Sequence, residues 1–306
     1  MINMEELFIT AKDGTQLHCV FSKPDGEIKG LVQIVHGMAE YAARYKPLME
    51  FFSANGYLAF GHDHLGHGLT ATDTADLGYI PLKGGADRMI TYTIEAAEYF
   101  TAKHPDKPLF VMGHSMGSFI VRCVLARSSG LYKATVLSGT GYAVPGAALG
   151  RAFVIYRSRT RGEKTYSDGA YKMVFGKYNK KTANRTAYDW ICRDNSVVDE
   201  YLADEYCGFP FTVSALAVMM DLNMGCNSAK TFAATPKSQP VLLLSGTDDP
   251  VGDYGRGVQN VYKAYKKNGL EHVEFKLYPG ARHEVVNELN KAEVMQDMLD
   301  WYEKYR

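Results

Sequence analysis

Short apolar runs recur along the chain, separated by longer stretches with helical spacing. Residues 6–10 and 16–22 flank Asp13-Gly14, the dipeptide of a tight hairpin turn. Residues 31–36 read as a buried strand. After it, Tyr45, Leu48, Met49 and Phe52 fall on one helix face that stops at Asn55-Gly56. A strand over 57–60 and a helix over 86–103, closed by Pro105, come next. Then follow a strand at 108–112, a helix over 118–127 and a strand at 134–138. The last third holds strands at 241–245 and 273–278, with a helix near 258–267 between them. A final helix over 286–305 carries Leu289, Val294, Met298, Leu299 and Trp301. Such alternation builds a mostly parallel sheet covered by helices on both faces.

Composition narrows the class. With 306 residues the chain buries a large core as one main domain. Its 34 basic and 34 acidic residues cancel, so nothing points to nucleic acid or to a strongly acidic partner. No apolar run reaches bilayer length, and Met1 to Glu6 lack the basic-then-apolar layout of a signal peptide. The five cysteines (Cys19, Cys123, Cys192, Cys207, Cys226) show neither metal nor redox spacing. Reduced thiols in a cytoplasmic protein are the expectation.

Chemistry enters at Gly113-His114-Ser115-Met116-Gly117, between the strand at 108–112 and the helix that follows. The two glycines are expected to let the backbone turn sharply and present the Ser115 hydroxyl above the sheet edge. A nucleophilic serine needs a base, and the base needs an orienting carboxylate, in the chain order serine, acid, histidine. The strand at 241–245 runs into Gly246-Thr247-Asp248-Asp249-Pro250, so the acid is Asp248 or Asp249. Pro250 favours Asp249 by holding it in an extended turn. The strand at 273–278 ends at Pro279-Gly280-Ala281-Arg282-His283, making His283 the base. His272 precedes its strand, and His114 should point away from its neighbour. The oxyanion donors are expected to be the amides of Met116, after the nucleophile, and Met38, after the strand at 31–36.

With these pieces in place the chain resembles the alpha/beta-hydrolase superfamily. Within it, the chain is similar to the monoglyceride lipase and lysophospholipase group of serine hydrolases, the serine aminopeptidase S33-like hydrolases. The resemblance rests on His36-Gly37 with Glu40 and Arg44-Tyr45, on Gly61-His62-Asp63-His64-Leu65-Gly66-His67-Gly68, on the serine turn, and on the Asp249 and His283 loops. It departs from the group at Ala39 and Tyr41, where Gly and His are frequent, and through the central segment, which matches no motif. The resemblance implies an α/β fold with a mostly parallel eight-stranded sheet and a helical lid. The core would span 1–141 and 238–306, and the lid 142–237.

That central segment is far longer than an ordinary connection. Its first half is basic (Arg151, Arg157, Arg159, Arg161, Lys164, Lys172, Lys177, Lys180, Lys181, Arg185). The next stretch is acidic (Asp189, Asp194, Asp199, Glu200, Asp204, Glu205). The simpler expectation is two solvated faces that pair with each other; the alternative is a cationic surface that meets lipid aggregates. Phe211, Leu216, Met219 and Met220 are candidates for an acyl-chain wall, and a plain lid core explains them equally well.

His62, His64 and His67 with Asp63 do not converge as ligands, so they read as a structural loop and no metal is expected. Glu40 and Arg44 have the spacing of a helical ion pair, and the resemblance adds a place near the substrate's polar end. The expected activity is carboxylester hydrolysis through an acyl-enzyme, without a cofactor. Single-chain lipids, monoacylglycerols or lysophospholipids, are implied as substrates by the resemblance alone. An amide or peptide hydrolase of the same fold is the alternative, since the triad does not distinguish the leaving group. A non-catalytic ligand-binding protein on the same scaffold is the third reading.

Overall fold

The computed structural model describes residues 4–306; Met1, Ile2 and Asn3, part of the stretch inspected for a signal layout, lie outside the described residues. The hairpin forms from β1 (Met4–Thr10) and β2 (Gln16–Ser22), paired antiparallel around the Asp13-Gly14 turn. β3 (Gly30–Val35), α1 (Lys46–Ala54) and β4 (Tyr57–His62) follow, then α2 (Gly85–Lys103), β5 (Leu109–His114), α3 (Met116–Arg127) and β6 (Thr135–Ser138). Five helices separate β6 from the next strand. They are α4 (Ala147–Arg161), α5 (Asp168–Phe175), α6 (Asn195–Ala203), α7 (Val213–Cys226) and α8 (Ala229–Ala234). β7 (Val241–Gly246), α9 (Arg256–Lys267), β8 (Val273–Tyr278) and α10 (Lys291–Tyr305) complete the chain.

The strands form one eight-stranded sheet in the order β1-β2-β4-β3-β5-β6-β7-β8. β2 meets β4 antiparallel, and every pairing from β4 to β8 is parallel. Strand periodicity explains why both faces are covered. Leu31, Val35, Leu109, Val111, Val241 and Leu243 join one apolar layer. Their neighbours Val32, Ile34, Phe110, Met112, Leu242 and Leu244 join the other. Residues one apart in a strand face opposite ways, so a fully apolar strand demands helices on both sides. The first layer packs Met89 of α2, Ile120 of α3 and Val261 of α9; the second packs Phe52 of α1 and Trp301 of α10.

The last helix starts later than its hydrophobic spacing suggested. Residues 285–287 form a separate 3-10 turn, and α10 begins at Lys291. Glu288 is the reason. Its carboxylate accepts hydrogen bonds from Arg193 N, Arg193 Nε and Arg282 N at 3.0, 2.7 and 2.8 Å. Helical periodicity registers apolar spacing, and these long-range bonds hold the backbone out of the helix instead.

The five-helix segment is not uniform. α7 is buried along Val213–Val218 and packs against α3 and α4. A smaller apolar cluster of Ile191, Cys192, Val198, Tyr201 and Cys207 supports the stretch before it. The expected pairing between basic and acidic halves does not form: of the ten cations, Arg185 alone reaches the acidic stretch, at Asp189 and Asp199. Arg151, Lys164 and Lys181 pair instead with Asp221, Asp76 and Asp248. Among the described residues no helix is long and apolar enough to cross a membrane.

Candidate active site

Ser115 sits between β5 and α3 with φ 51° and ψ −119°. A non-glycine residue in that region is strained by about 1–3 kcal/mol, which the surroundings must offset. The Ser115 amide donates to the Ser138 carbonyl at 2.9 Å, tying the turn to β6. The flanking glycines serve a different end from the one expected. Neither has a positive φ, so the turn is borne by the serine itself. A Cβ on Gly117 would collide with the Val35 carbonyl, and one on Gly113 would lie 2.7 Å from the Gly117 carbonyl. They allow α3 to close on the sheet, and that closure pins the strained serine.

His283 stands in the loop after β8 and is buried. Its Nδ1 meets Asp249 Oδ1 at 2.9 Å, which leaves Nε2 as the nitrogen able to face Ser115. Asp249 is fully buried and also accepts from Val251 N at 2.8 Å and from Ser245 Oγ at 2.9 Å. Asp248, its neighbour, turns outward and meets Lys181 at 3.4 Å. Burial pushes the Asp249 carboxyl up, but His283 and the hydrogen bonds outweigh it and hold it below the usual range. Burial likewise depresses His283, but the Asp249 charge and hydrogen bond, with the charges of Glu284 and Glu40, together outweigh it, so the imidazole titrates above its ordinary value. The geometry separates the two aspartates that the sequence left open.

Ser115 and His283 open into one cavity of about 900 Å³. Met38 and Met116 line it. As the first residue of α3, Met116 has an amide without an intrahelical acceptor. Met219, Met220, Phe119 and Met173 supply apolar wall, and Glu40 is also among the lining residues. Two proposed wall residues are elsewhere. Phe211 packs against His67 with ring centroids 5.4 Å apart, and Leu216 is fully buried on the core side of α7; neither lines the cavity. On α7 the 219–220 positions face the cavity while Leu216, three to four residues back, faces the core.

Arg44 is also displaced from its expected place. It does not line the cavity but lies behind the wall, where its guanidinium bonds Glu40 at 2.9 Å and Glu284 at 2.8 and 2.7 Å. Glu40 in turn accepts from Gly37 N at 2.6 Å and Tyr45 Oη at 2.8 Å. Burial pushes Glu40 above the usual carboxylate range despite Arg44. Glu284, gripped by both guanidinium nitrogens, is held below it against the same burial. The Glu40–Arg44 pair forms, though Glu40 lies in the loop before the 3-10 turn 42–45 and not in a helix, and it is one arm of a bridge joining the Met38 loop to the His283 loop.

The histidine-rich stretch supports the same loop from beneath. Asp63 accepts from Ala42 N, Leu69 N and His18 Nδ1 at 2.8, 2.9 and 2.8 Å. His67 Nε2 accepts from the Ala39 amide at 3.2 Å. Ala39 takes φ 53°, and its carbonyl is held by Gly208 N and Tyr201 Oη, both at 2.9 Å. Burial keeps His62 and His67 depressed to about 4 and His36 to about 3, hence neutral.

Several site residues escaped sequence reasoning. His114 does not turn away. It lines the cavity with its ring 4.6 Å from that of His283, and burial followed by the repulsion of His283 depresses it to about 3. Trp190 lies 5.1 Å from His283 on another side, and its carbonyl accepts from His283 N at 3.4 Å. Tyr178, Tyr188 and Tyr201 complete that wall. Nothing in their local sequence marks them, because they reach the site across the fold. Glu284 had a signal, its position beside the base.

The model of the family described as "Serine aminopeptidase, S33" matches residues 26–290. The chain is 31% identical to a monoacylglycerol lipase of Mycolicibacterium smegmatis over 91% of this chain and 89% of that protein. It is 25% identical to the monoglyceride lipase of Mus musculus over 94% and 87%. Among solved structures, a thermostable carboxyl esterase from Bacillus coagulans superposes with a TM-score of 0.88 at 26% identity, covering 100% of this chain and 99% of that one. The chain belongs to the serine aminopeptidase S33 family and has the alpha/beta-hydrolase fold.

Proposed function

We propose that this member of the S33 family is a serine carboxylester hydrolase that cleaves monoacylglycerols through an acyl-enzyme. His283 Nε2 takes the Ser115 proton as Oγ attacks the ester carbonyl. The amides of Met38 and Met116 receive the oxyanion, and Asp249 stabilises the imidazolium. The imidazolium then protonates the departing alcohol as the acyl–alkoxy bond breaks. A water, deprotonated by His283, releases the fatty acid and restores Ser115. Residues 142–237 act as the lid and 1–141 with 238–306 as the core; the part over the site is the stretch before α7.

The observation that carries this reading is the lining of the cavity. Ser115, His283 and the Met219/Met220 wall share one chamber, and no lysine or arginine is among its lining residues. An anionic headgroup would lose its hydration there without gaining a cation, which disfavours a lysophospholipid phosphate. A peptide's cationic N-terminus fares no better: Glu40 and Glu284 are already taken by Arg44, and Asp253 by Arg256. A neutral glycerol headgroup fits. The curated relatives above carry the names of monoacylglycerol and monoglyceride lipases, which supports the same choice.

The test is hydrolysis of a monoacylglycerol, a lysophosphatidylcholine and an aminoacyl amide with matched chains, on wild type and Ser115→Ala. Wild type should prefer the monoacylglycerol, and Ser115→Ala should lose several orders of magnitude in kcat while remaining folded. Preferred cleavage of the amide would overturn the reading in favour of an aminopeptidase.

A further inference from the structure

Arg122 is the largest fully buried side chain of the protein, and the reaction described above makes no use of it. It rises from α3, about two turns beyond Ser115. Its four hydrogen-bond acceptors are all neutral. Nη1 donates to Thr140 Oγ1 at 3.5 Å and to the Gly141 carbonyl at 3.1 Å. Nη2 donates to the Cys226 carbonyl at 3.0 Å and to Asn227 Oδ1 at 2.7 Å. Among the described residues it has no carboxylate partner, and its Nε has no partner at all. The rings of Phe232 and Tyr265 cover it, with centroids 5.2 and 6.0 Å from Cζ. An apolar side chain of like volume would fill this place without desolvating an unpaired cation. What the guanidinium alone supplies is direction: a planar fork that bonds two separate stretches of chain at once.

One of those stretches is the end of α7. Cys226 is its last residue, where carbonyls lack intrahelical donors and a cation complements the helix dipole. The same helix carries Met219 and Met220 in the cavity wall. The other stretch is the chain leaving β6, and it touches every part of the triad. The Ser138 carbonyl accepts from Ser115 N at 2.9 Å. Gly139, with φ 59°, lies so close to the base that a Cβ there would stand 2.8 Å from His283 Cε1. A Cβ on Gly141 would stand 3.0 Å from the carbonyl of Val251, whose amide donates to Asp249. Asn227 adds a second bond to the Gly141 carbonyl, from Nδ2 at 3.4 Å. Residues 138–141 therefore form a spacer between nucleophile, base and acid. Arg122 fastens the far end of that spacer to α3, the helix that starts beside Ser115.

We propose that Arg122 is a positioning residue: by clamping Gly141 and the end of α7 to α3, it sets the spacing of Ser115 and His283. It does not line the cavity and acts only through the spacer. This role rests on the ester-hydrolase reading above and adds to it the group that holds the triad's parts in register.

Fluorophosphonate labelling of wild type, Arg122→Lys, Arg122→Met and Asn227→Ala tests this. The amplitude counts folded, competent serines. The rate constant reports how well His283 activates Ser115, whatever the natural substrate. Arg122→Met should lower that rate on the order of a hundredfold, the scale of a displacement of about 1 Å. Arg122→Lys, able to reach some of the four acceptors, should recover part of the loss. Asn227→Ala removes one acceptor and keeps the cation, so a fall of about tenfold is expected. Per labelled serine, kcat for a soluble acetyl ester should follow the same order, with KM little changed. A role in folding alone would lower the amplitude and the stability in urea while the labelled fraction reacts at the wild-type rate. That result overturns the proposal, and Asn227→Ala decides in the same way if Arg122→Met yields no labelled serine. Wild type that labels but cleaves no ester would instead sink the ester-hydrolase reading, and the order of labelling rates would still test Arg122.

Discussion

Arg44 holds Glu284, the residue beside the candidate base, through two parallel hydrogen bonds of 2.8 and 2.7 Å. The same guanidinium holds Glu40, whose carboxylate accepts from the Gly37 amide. One buried cation therefore fixes the base loop and the oxyanion loop relative to each other. Replacing Arg44 with Met would leave two buried carboxylates uncompensated, a loss of about 3–5 kcal/mol. Arg44→Lys keeps the charge but not the paired geometry. The expected order of both unfolding free energy in urea and kcat is wild type, then Lys, then Met. A Met variant as active and stable as wild type would show that the bridge positions nothing.

Asp249→Asn should lower kcat by about four orders of magnitude, because the amide leaves His283 in the wrong tautomer. Asp248→Asn, losing only an exposed contact to Lys181 at 3.4 Å, should stay within a few-fold of wild type. Steady-state kinetics on both variants decides this, and the reverse ranking would transfer the role to Asp248.

The pH profile follows from His283. A base must be neutral, and its pKa is raised because the Asp249 charge and hydrogen bond, with the Glu284 and Glu40 charges, together outweigh burial. Activity should therefore fall as pH drops through a value above the ordinary histidine pKa of about 6.5. In Asp249→Asn the main opposing effects are gone and only the Glu284 and Glu40 charges remain against burial, so the residual activity should keep its acid limb to lower pH. A kcat/KM profile with the limb unmoved in the variant would contradict the pairing.

Five buried histidines make stability acid-sensitive. Burial depresses His36 and His114 to about 3, His62 and His67 to about 4, and His64 well below its usual value. Their folded pKa values lie below the unfolded value, so unfolding takes up protons below about pH 6.5. Stability is then full above that pH and is lost as pH falls toward 4. His18 and His283 shift upward and act only above 6.5, where they oppose a further rise. Each depressed histidine should cost about 2 kcal/mol between pH 6.5 and 5. Urea titrations at the two pH values should differ by several kcal/mol; equal stabilities would show that the cluster is protonated or hydrated when folded.

Chain-length dependence separates the wall from the core. Each methylene buried against Met219 and Met220 stabilises the complex by about 0.8 kcal/mol, nearly fourfold in kcat/KM, until the pocket is full. Met219→Gln or Met220→Gln should flatten that rise while sparing acetyl esters. Leu216→Ala, outside the cavity, should instead cost about 2–5 kcal/mol of stability and leave the slope intact. A series from acetyl to palmitoyl esters on the three variants measures both, and a wild-type profile that peaks at acetyl would reject an acyl pocket.

Much of the molecule was written locally. Apolar runs of strand length, and for β8 an alternation of apolar and charged residues, marked the parallel strands, and the serine turn, the His283 loop and the two-aspartate loop followed from residues at the ends of those strands. Boundaries failed where distant side chains intervened: Glu288, bonded by Arg193 and Arg282, delays α10 in a stretch whose spacing is helical. The lining failed for a related reason. Leu216 and Met219 are neighbours on one helix, and one faces the core while the other faces the cavity.

By itself, then, the sequence determined the strand-helix alternation and the chain order of the candidate serine, acid and histidine. These depend on short-range backbone preference and on periodicity, which a chain carries in each segment. Tertiary structure alone decided between Asp248 and Asp249, turned Arg44 from a local pair into a bridge, and brought His114 and Trp190 against His283. Those outcomes depend on which side chains lose their water together. That is a property of the packed fold, where burial sets both the partner and the charge.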